Sequence, residues 1–244
     1  MTERQEVPGP AFPGSTAVTV LDVYDWPAPD GVRGGSAHVH LASAEGYVVL
    51  SGAGRLQTLG GHGYAEAPLH PGDCLWFTPG TIHRLVNDGD LRILVVMQNA
   101  GLPEDGDAVL TFPPDVLADP GRYARAASLD GGPSPAAAAR RRRDLALSGY
   151  LVLRDQVARD GPAALEDFYT AAVRLVSERV PGWRDRWKAG ALSAATLTGQ
   201  HLEQIAALDP GHLRDGRLLR MAEPGDRGYG MCGRLTAYRP GGYA

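Results

Sequence analysis

The sequence predicts a domain of short antiparallel β-strands followed by an α-rich C-terminal region. Three observations carry this expectation. From Thr16 to about Gln98 the apolar residues fall in short runs, AVTVLDVYDW, SAHVHLA, YVVLSG, GRLQTL, DCLWFT and RILVVMQ, with no helical period among them. The breaks are turn chemistry: Pro27-Ala28-Pro29-Asp30-Gly31, Gly60-Gly61-His62-Gly63, Pro71-Gly72-Asp73 and Asn87-Asp88-Gly89-Asp90. After Pro135 the chain turns rich in Ala, Leu and Arg. Many short strands at close spacing argue for a sandwich or barrel.

In chain order, residues 1–15 are polar and rich in Pro and Gly, as expected of an arm, and residues 16–101 form the β-domain. Residues 102–136 read as a linker or a wrap over that domain, with a short helix near Pro114–Ala118. Residues 137–244 make up the α-rich region. Within it, 162–180 is an amphipathic helix with Leu165, Phe168, Ala172, Leu175 and Val176 on one face and Pro162 in its first turn. A second helix is expected over 192–208. Residues 137–159 suit a helix, although Gly149 and the YLVL run leave a strand open. The Gly- and Arg-rich last thirty or so residues suit a short hairpin.

Composition narrows the classes. At 244 residues and 43% hydrophobic the chain can bury a core, which excludes wholesale disorder. A formal net charge of −4 lacks the basic excess of a nucleic-acid footprint. Two cysteines, Cys74 and Cys232, make no CxxC pair and suit free thiols in a reducing interior. The first residues show no apolar leader and no stretch is long enough to span a bilayer, so the expectation is a soluble, cytoplasmic protein.

The chemistry concentrates in HVHLASAEGYVVLSG, residues 38–52. Residues i and i+2 of a strand share a face, so His38 and His40 project together while Val39 and Leu41 face away. Two imidazoles so placed can reach one ion at about 2 Å from each nitrogen. Glu45 follows after four residues, room for a turn to bring its carboxylate to the same point. His83, in PGTIHRLVN, opens a strand after a Pro-Gly turn and is the fourth candidate. Three imidazoles and a carboxylate suit Fe(II), Zn, Mn, Ni, Co or Cu.

These residues resemble the two motifs of the cupin superfamily. His38-Val39-His40, four residues, Glu45, six residues and Gly52 match the first motif; Gly72, Pro79-Gly80, His83 and Asn87 match the second, with 19 residues between Gly52 and Gly72. Two turn positions depart from the pattern. Val32 stands where the first motif's leading glycine is expected, and the proline directly precedes Gly80 instead of standing one residue further off. All four ligand positions are filled. The resemblance covers about residues 16–100 and implies an antiparallel double-stranded β-helix, or jelly roll, with a divalent metal inside, held by His38, His40, Glu45 and His83. Cupin barrels pair through sheet edges and exchanged N-terminal strands, which implies a homodimer.

Other polar and aromatic residues have structural readings. Asn87 is a turn-former, Cys74 fills the barrel, one of Trp76 and Phe77 faces the cavity, and His62 and His70 are solvated. Arg140 to Arg143 spray around a solvated helix start and are no nucleic-acid patch. His201 shares an apolar face with Leu197 and Ile205, with Gln204 in reach as a partner. Trp183 and Trp187 cap the barrel or a dimer surface.

Four ligands inside a barrel leave coordination positions for a small organic substrate. With Fe(II), oxygenase chemistry is slightly favoured; with a redox-inert ion, isomerase, lyase or hydrolytic chemistry follows. Glu45 is the candidate proton shuttle. A non-catalytic module that binds or senses a small ligand stays open beside these, and no membrane or nucleic-acid partner is expected.

Overall fold

The computed structural model describes residues 12–130, 132–222 and 224–243. Of the expected arm, residues 1–11 lie outside this set, and residues 13–15 form one tight turn whose Ser15 carbonyl accepts from Ala100 N–H at 2.9 Å.

The β-domain contains β1 (Ala17–Val23), β2 (His38–His40), β3 (Glu45–Gly60), β4 (Gly63–Leu69), β5 (Cys74–Phe77), β6 (Ile82–Met97) and β7 (Ala108–Leu110). All their pairings are antiparallel. YVVLSG and GRLQTL, expected as two strands, are one: β3 runs through Gly52 and bends there. The residues 82–97 likewise form one strand, although Asn87 to Asp90 carry turn chemistry. The reason is that the two bends face each other. Register shifts between Val49 and Gly54 of β3 lie opposite Gly89 and Asn87, so the strands bend together and stay paired on both sides. Gly52 has φ +80°, and a Cβ there would overlap the carbonyls of Gly89 and Asp90.

The helical region follows as α1 (Pro114–Leu117), α2 (Pro120–Ala127), α3 (Pro135–Asp160), α4 (Glu166–Val176), α5 (Val180–Trp187) and α6 (Ser193–Ala206). Residues 137–159 are therefore helix throughout. Ser134 caps α3, accepting from Ala137 N–H at 3.2 Å, and Pro135 occupies the first turn. Gly149, which had left a strand open, sits where α3 meets the main chain of Thr111 and Phe112, and a Cβ would overlap Thr111 O. The end of the chain holds β8 (Leu219–Ala222), β9 (Gly228–Tyr229), β10 (Gly233–Ala237) and β11 (Arg239–Tyr243). β8 pairs with β11 as a separate two-stranded sheet.

Sequence divides at residue 101 less cleanly than expected. β7, from the linker, pairs with β2, and β10, from the C-terminal region, pairs with β1 in the barrel sheet, whose path runs β4-β3-β6-β1-β10-β9. Both edges of β1 are thus occupied within its own chain, by β6 and β10.

Two cores result. Leu21, Tyr47, Val49, Leu56, Leu85, Ile93 and Val95 fill the barrel. The other face of the sheet, through Val39, Leu59, Ile82 and Val109, packs on Phe112, Leu147, Tyr150, Leu165, Phe168 and Trp183. Val39 thus faces away from the histidines, into the helical layer instead of solvent. Trp183 is buried in this second core, its Nε1–H donating to Asp105 O at 3.4 Å, while Trp187 is exposed.

Three expectations are corrected. Arg142 and Arg143 are not solvated: only 8% and 1% of their surfaces are exposed. Arg143 donates to the carbonyls of Trp26 (2.7 Å), Pro27 (2.9 Å) and Gly34 (3.2 Å), tying α3 to the β1–β2 connection. Arg140 stacks its guanidinium over the Trp26 ring at 4.5 Å, and Arg141 alone behaves as a free surface cation would. Cys74 points outward and is exposed, because the face of β5 that it shares with Trp76 lies outside the barrel. His201 stacks on His212 at 4.5 Å, while Leu197 and Ile205 face solvent, so its helix face is not a core face.

Candidate metal centre

His38 and His40 lie on β2, Glu45 opens β3 and His83 lies near the start of β6. Register brings His38 directly opposite His83, while Glu45, at the far end of β3 from the residue that faces His83, pairs with Phe77 of β5, whose ring lies 4.2 Å from that of His83. All four are buried, and one ligand atom from each lies within 4.8 Å of the others. The Nε2 atoms of His38 and His83 are 3.1 Å apart, Glu45 Oε2 lies 3.1 Å from His83 Nε2, and the same oxygen lies 3.2 Å from His40 Nε2.

The outer nitrogen of each ring faces an acceptor. His38 Nδ1 lies 3.3 Å from Ser36 O, His83 Nδ1 lies 3.1 Å from Thr81 O, and His40 Nδ1 lies 3.3 Å from Asp107 Oδ2. Protons held on Nδ1 leave the Nε2 lone pairs pointing inward, the tautomer a metal needs. Both ring nitrogens of His40, Glu45 Oε2 and Asp107 Oδ2 are buried without an aligned hydrogen-bond partner. Converging lone pairs and a carboxylate in a dry site repel unless a cation lies among them, so the residues fit a divalent transition metal.

Without an ion among these groups, His40 takes up the proton that a bound metal would displace, and the other groups settle around that charge. Burial, reinforced by the neighbouring imidazoles of His83 and His40, holds His38 well below the usual histidine range, so it is neutral. Burial opposes charge on His40 as well, but the carboxylates of Asp107 and Glu45 outweigh it and push its pKa up to about 9. Burial would raise Glu45, yet His40 and His83 hold it well below the carboxylate range, so it is ionised.

Several residues at the site carry no sequence motif. Asp107, from the linker, is fully buried because β7 pairs Ala108 with His40, which sets the preceding residue beside that ring. Its Oδ1 accepts the N–H groups of Leu41 (3.0 Å) and Ala42 (2.6 Å), fixing the turn that leads from β2 to Glu45. Phe77 packs its ring 4.2 Å from that of His83 and 5.4 Å from Tyr47, so it is the member of the Trp76–Phe77 pair that turns inward; Trp76 is 72% exposed. Cys232 is buried with its Sγ 3.9 Å from His38 Nδ1, brought there by β10. Asn87 is no ligand: it donates to Val23 O at 2.9 Å and accepts from the N–H groups of Gly89 and Leu91, fixing the bend of β6. His62 and His70 are exposed, away from the site.

The metal-facing side opens on a cavity of about 430 Å³, a size that suits a small organic ligand. Leu21, Val95, Met97 and Leu235 give it apolar walls, and Arg142 and Cys232 close it from the C-terminal side. No helix is long and apolar enough to cross a membrane among the described residues.

Comparison with known proteins agrees with the motifs. The cupin domain family profile matches residues 28–97. Among solved structures, a Klebsiella pneumoniae protein with a double-stranded β-helix domain is 18% identical, with 40% of this chain and 80% of that one covered and a TM-score of 0.29. A Salinispora arenicola cupin 2 conserved barrel domain protein is 19% identical over 43% of this chain and 76% of its own, at TM-score 0.27. A Thermotoga maritima protein described as a predicted oxalate decarboxylase is 24% identical over 34% of this chain and 64% of its own, at TM-score 0.26. A search of curated proteins returns no match. With both motifs filled and the profile matched over residues 28–97, that segment of the chain matches the cupin domain family.

Proposed function

We propose that this protein is a metal-dependent enzyme acting on a small organic molecule, with His38, His40, Glu45 and His83 as the ligands and Fe(II)-dependent oxygenase chemistry as the favoured reaction class. The observation that carries the reading is the convergence of three Nε2 atoms and one carboxylate oxygen, all buried, beside a cavity of about 430 Å³. A bound redox-active ion supplies dioxygen activation, whereas a redox-inert one supplies Lewis-acid polarisation and a more acidic water, the isomerase or lyase alternative.

The chain's own residues have definable parts. Asp107 orients His40 and fixes the His40–Glu45 turn. Phe77 packs against His83 and limits its ring motion. The apolar walls exclude water from the substrate's side of the site, which strengthens every charge interaction within it. Glu45, the one ionised ligand, is also the candidate to hold a proton for substrate, through the carboxylate oxygen not directed at His40 and His83.

The test is metal analysis of protein purified without added metal, alongside His83→Ala. Near-stoichiometric metal in the wild type and its loss in the variant are expected, and iron followed by substrate-dependent oxygen uptake supports the oxygenase. Equal, substoichiometric metal in both proteins would remove the basis of the reading.

A further inference from the structure

We infer that the cavity takes an organic acid with an apolar body, whose carboxylate is recognised by Arg142; this rests on the cavity being the substrate site of the metal centre. Arg142 comes from α3, the helical region that the cupin motifs do not reach, yet it forms part of the wall that also holds His38, His40 and Glu45. It is buried, and its Nη groups donate to the main-chain carbonyls of Ala127 (3.3 Å), Tyr229 (3.5 Å) and Gly230. Carbonyls satisfy hydrogens but do not neutralise the cation. Its Nε is enclosed with no hydrogen-bond partner. Among the described residues, the titratable groups that face Arg142 are Tyr24, Cys232 and Tyr123, none of them a carboxylate. A buried guanidinium without a counter-charge is costly, and the fold spends three main-chain carbonyls to hold it in this wall.

Charge balance points the same way. With a divalent ion in place, the ionised Glu45 and Asp107 offset it, and Arg142 remains as one uncompensated positive charge. Glu104, the other charged residue of the wall, is exposed and hydrated, and so screens poorly toward the interior. A single carboxylate restores neutrality. The rest of the lining is mostly apolar, with Leu21, Val95, Met97, Met231 and Leu235, and would reject a heavily hydroxylated or doubly charged molecule. Three of the five guanidinium N–H groups are on main-chain carbonyls, so a ligand carboxylate would meet Arg142 through a remaining N–H and its charge.

The experiment titrates Zn(II)-loaded protein with phenylacetate, octanoate and phenylpyruvate, and with the methyl ester of each, by calorimetry. At least one acid should bind about tenfold or more tightly than its ester, the scale of one charge-assisted interaction. Arg142→Gln should reduce that preference by a similar factor, and Arg142→Lys should keep part of it. Acids and esters that bind alike, acids that do not bind, or a preference unchanged in Arg142→Gln would overturn the inference, the last by assigning recognition to the metal. Should Arg142→Gln fail to fold, the same titration of chelator-stripped wild type decides, because Arg142 alone must still favour the acid. Stoichiometric metal without acid preference leaves the metal reading standing while this one falls. Arg142-dependent acid binding by a protein that holds no metal does the reverse.

Discussion

Replacing Asp107 with Asn tests how the centre is built, because the structure dictates which way the amide must turn. Asp107 Oδ1 accepts two main-chain N–H groups, from Leu41 at 3.0 Å and Ala42 at 2.6 Å. An NH2 group cannot face two donors, so the amide oxygen of Asn must stay there. The NH2 then falls where Oδ2 now lies, 3.3 Å from His40 Nδ1. Two donors would oppose each other, and His40 escapes by moving its proton to Nε2, the atom that faces Glu45 at 3.2 Å and the centre. A metal must then bind against the wrong tautomer. Loss of an outer partner of a metal-bound histidine weakens affinity by about 10- to 100-fold, or about 1.4 to 2.8 kcal/mol at 1.4 kcal/mol per decade. Competition for Zn(II) with a chromophoric chelator measures the affinity, and 15N chemical shifts of the His40 ring report the tautomer. The two main-chain hydrogen bonds survive in Asn, so the folded state should stay intact. Wild-type affinity in Asp107→Asn, or weakened affinity with the His40 proton still on Nδ1, would refute the reasoning.

Two further predictions concern the cations the fold buries. Arg143→Ala strips the carbonyls of Trp26, Pro27 and Gly34 of their donor and should destabilise the protein by about 3 kcal/mol or more in urea denaturation, while the exposed Arg141→Ala stays within about 0.5 kcal/mol of wild type; equal effects would return both to the surface. Arg84, fully buried, forms a two-point pair with Asp30 at 2.6 and 3.1 Å. Burial alone would raise the Asp30 pKa, but the Arg84 guanidinium overrides it and holds the carboxyl below its usual range. Its contribution is therefore full above the ordinary aspartate value of about 3.9 and is lost as pH falls through the lower folded value. Asp30→Asn should cost about 3 to 5 kcal/mol at pH 7, and its stability curve should converge with that of wild type in acid; a constant gap down to pH 2 would contradict the assignment.

What was legible in the sequence follows from the range of the interactions. Strand period and turn residues are local, so the β-domain and helix over most of 162–180 and 192–208 could be read, whereas 137–159 stays open to a strand and α5 is not foreseen. The four candidate ligands were legible because His38, His40 and Glu45 lie within one short stretch and His83 follows a turn that starts its strand. Asp107 escaped notice because it reaches His40 only through the pairing of β7 with β2, a contact 67 residues apart by number that no spacing rule announces. Cys232 and Arg142 escaped for the same reason, one arriving on a strand that returns from the C-terminus and the other on a helix. The run Arg140 to Arg143 shows the limit most sharply. Four identical residues in sequence have four environments in space: an aromatic face for Arg140, solvent for Arg141, the cavity wall for Arg142 and three loop carbonyls for Arg143. A helix turns about 100° per residue, so adjacent cations must diverge. Which of them is buried depends on what packs against each side. The cupin motifs specify a metal-capable barrel; the parts that would select its substrate lie in the helical region and the returning strand, outside the motifs, where only the folded chain reveals them.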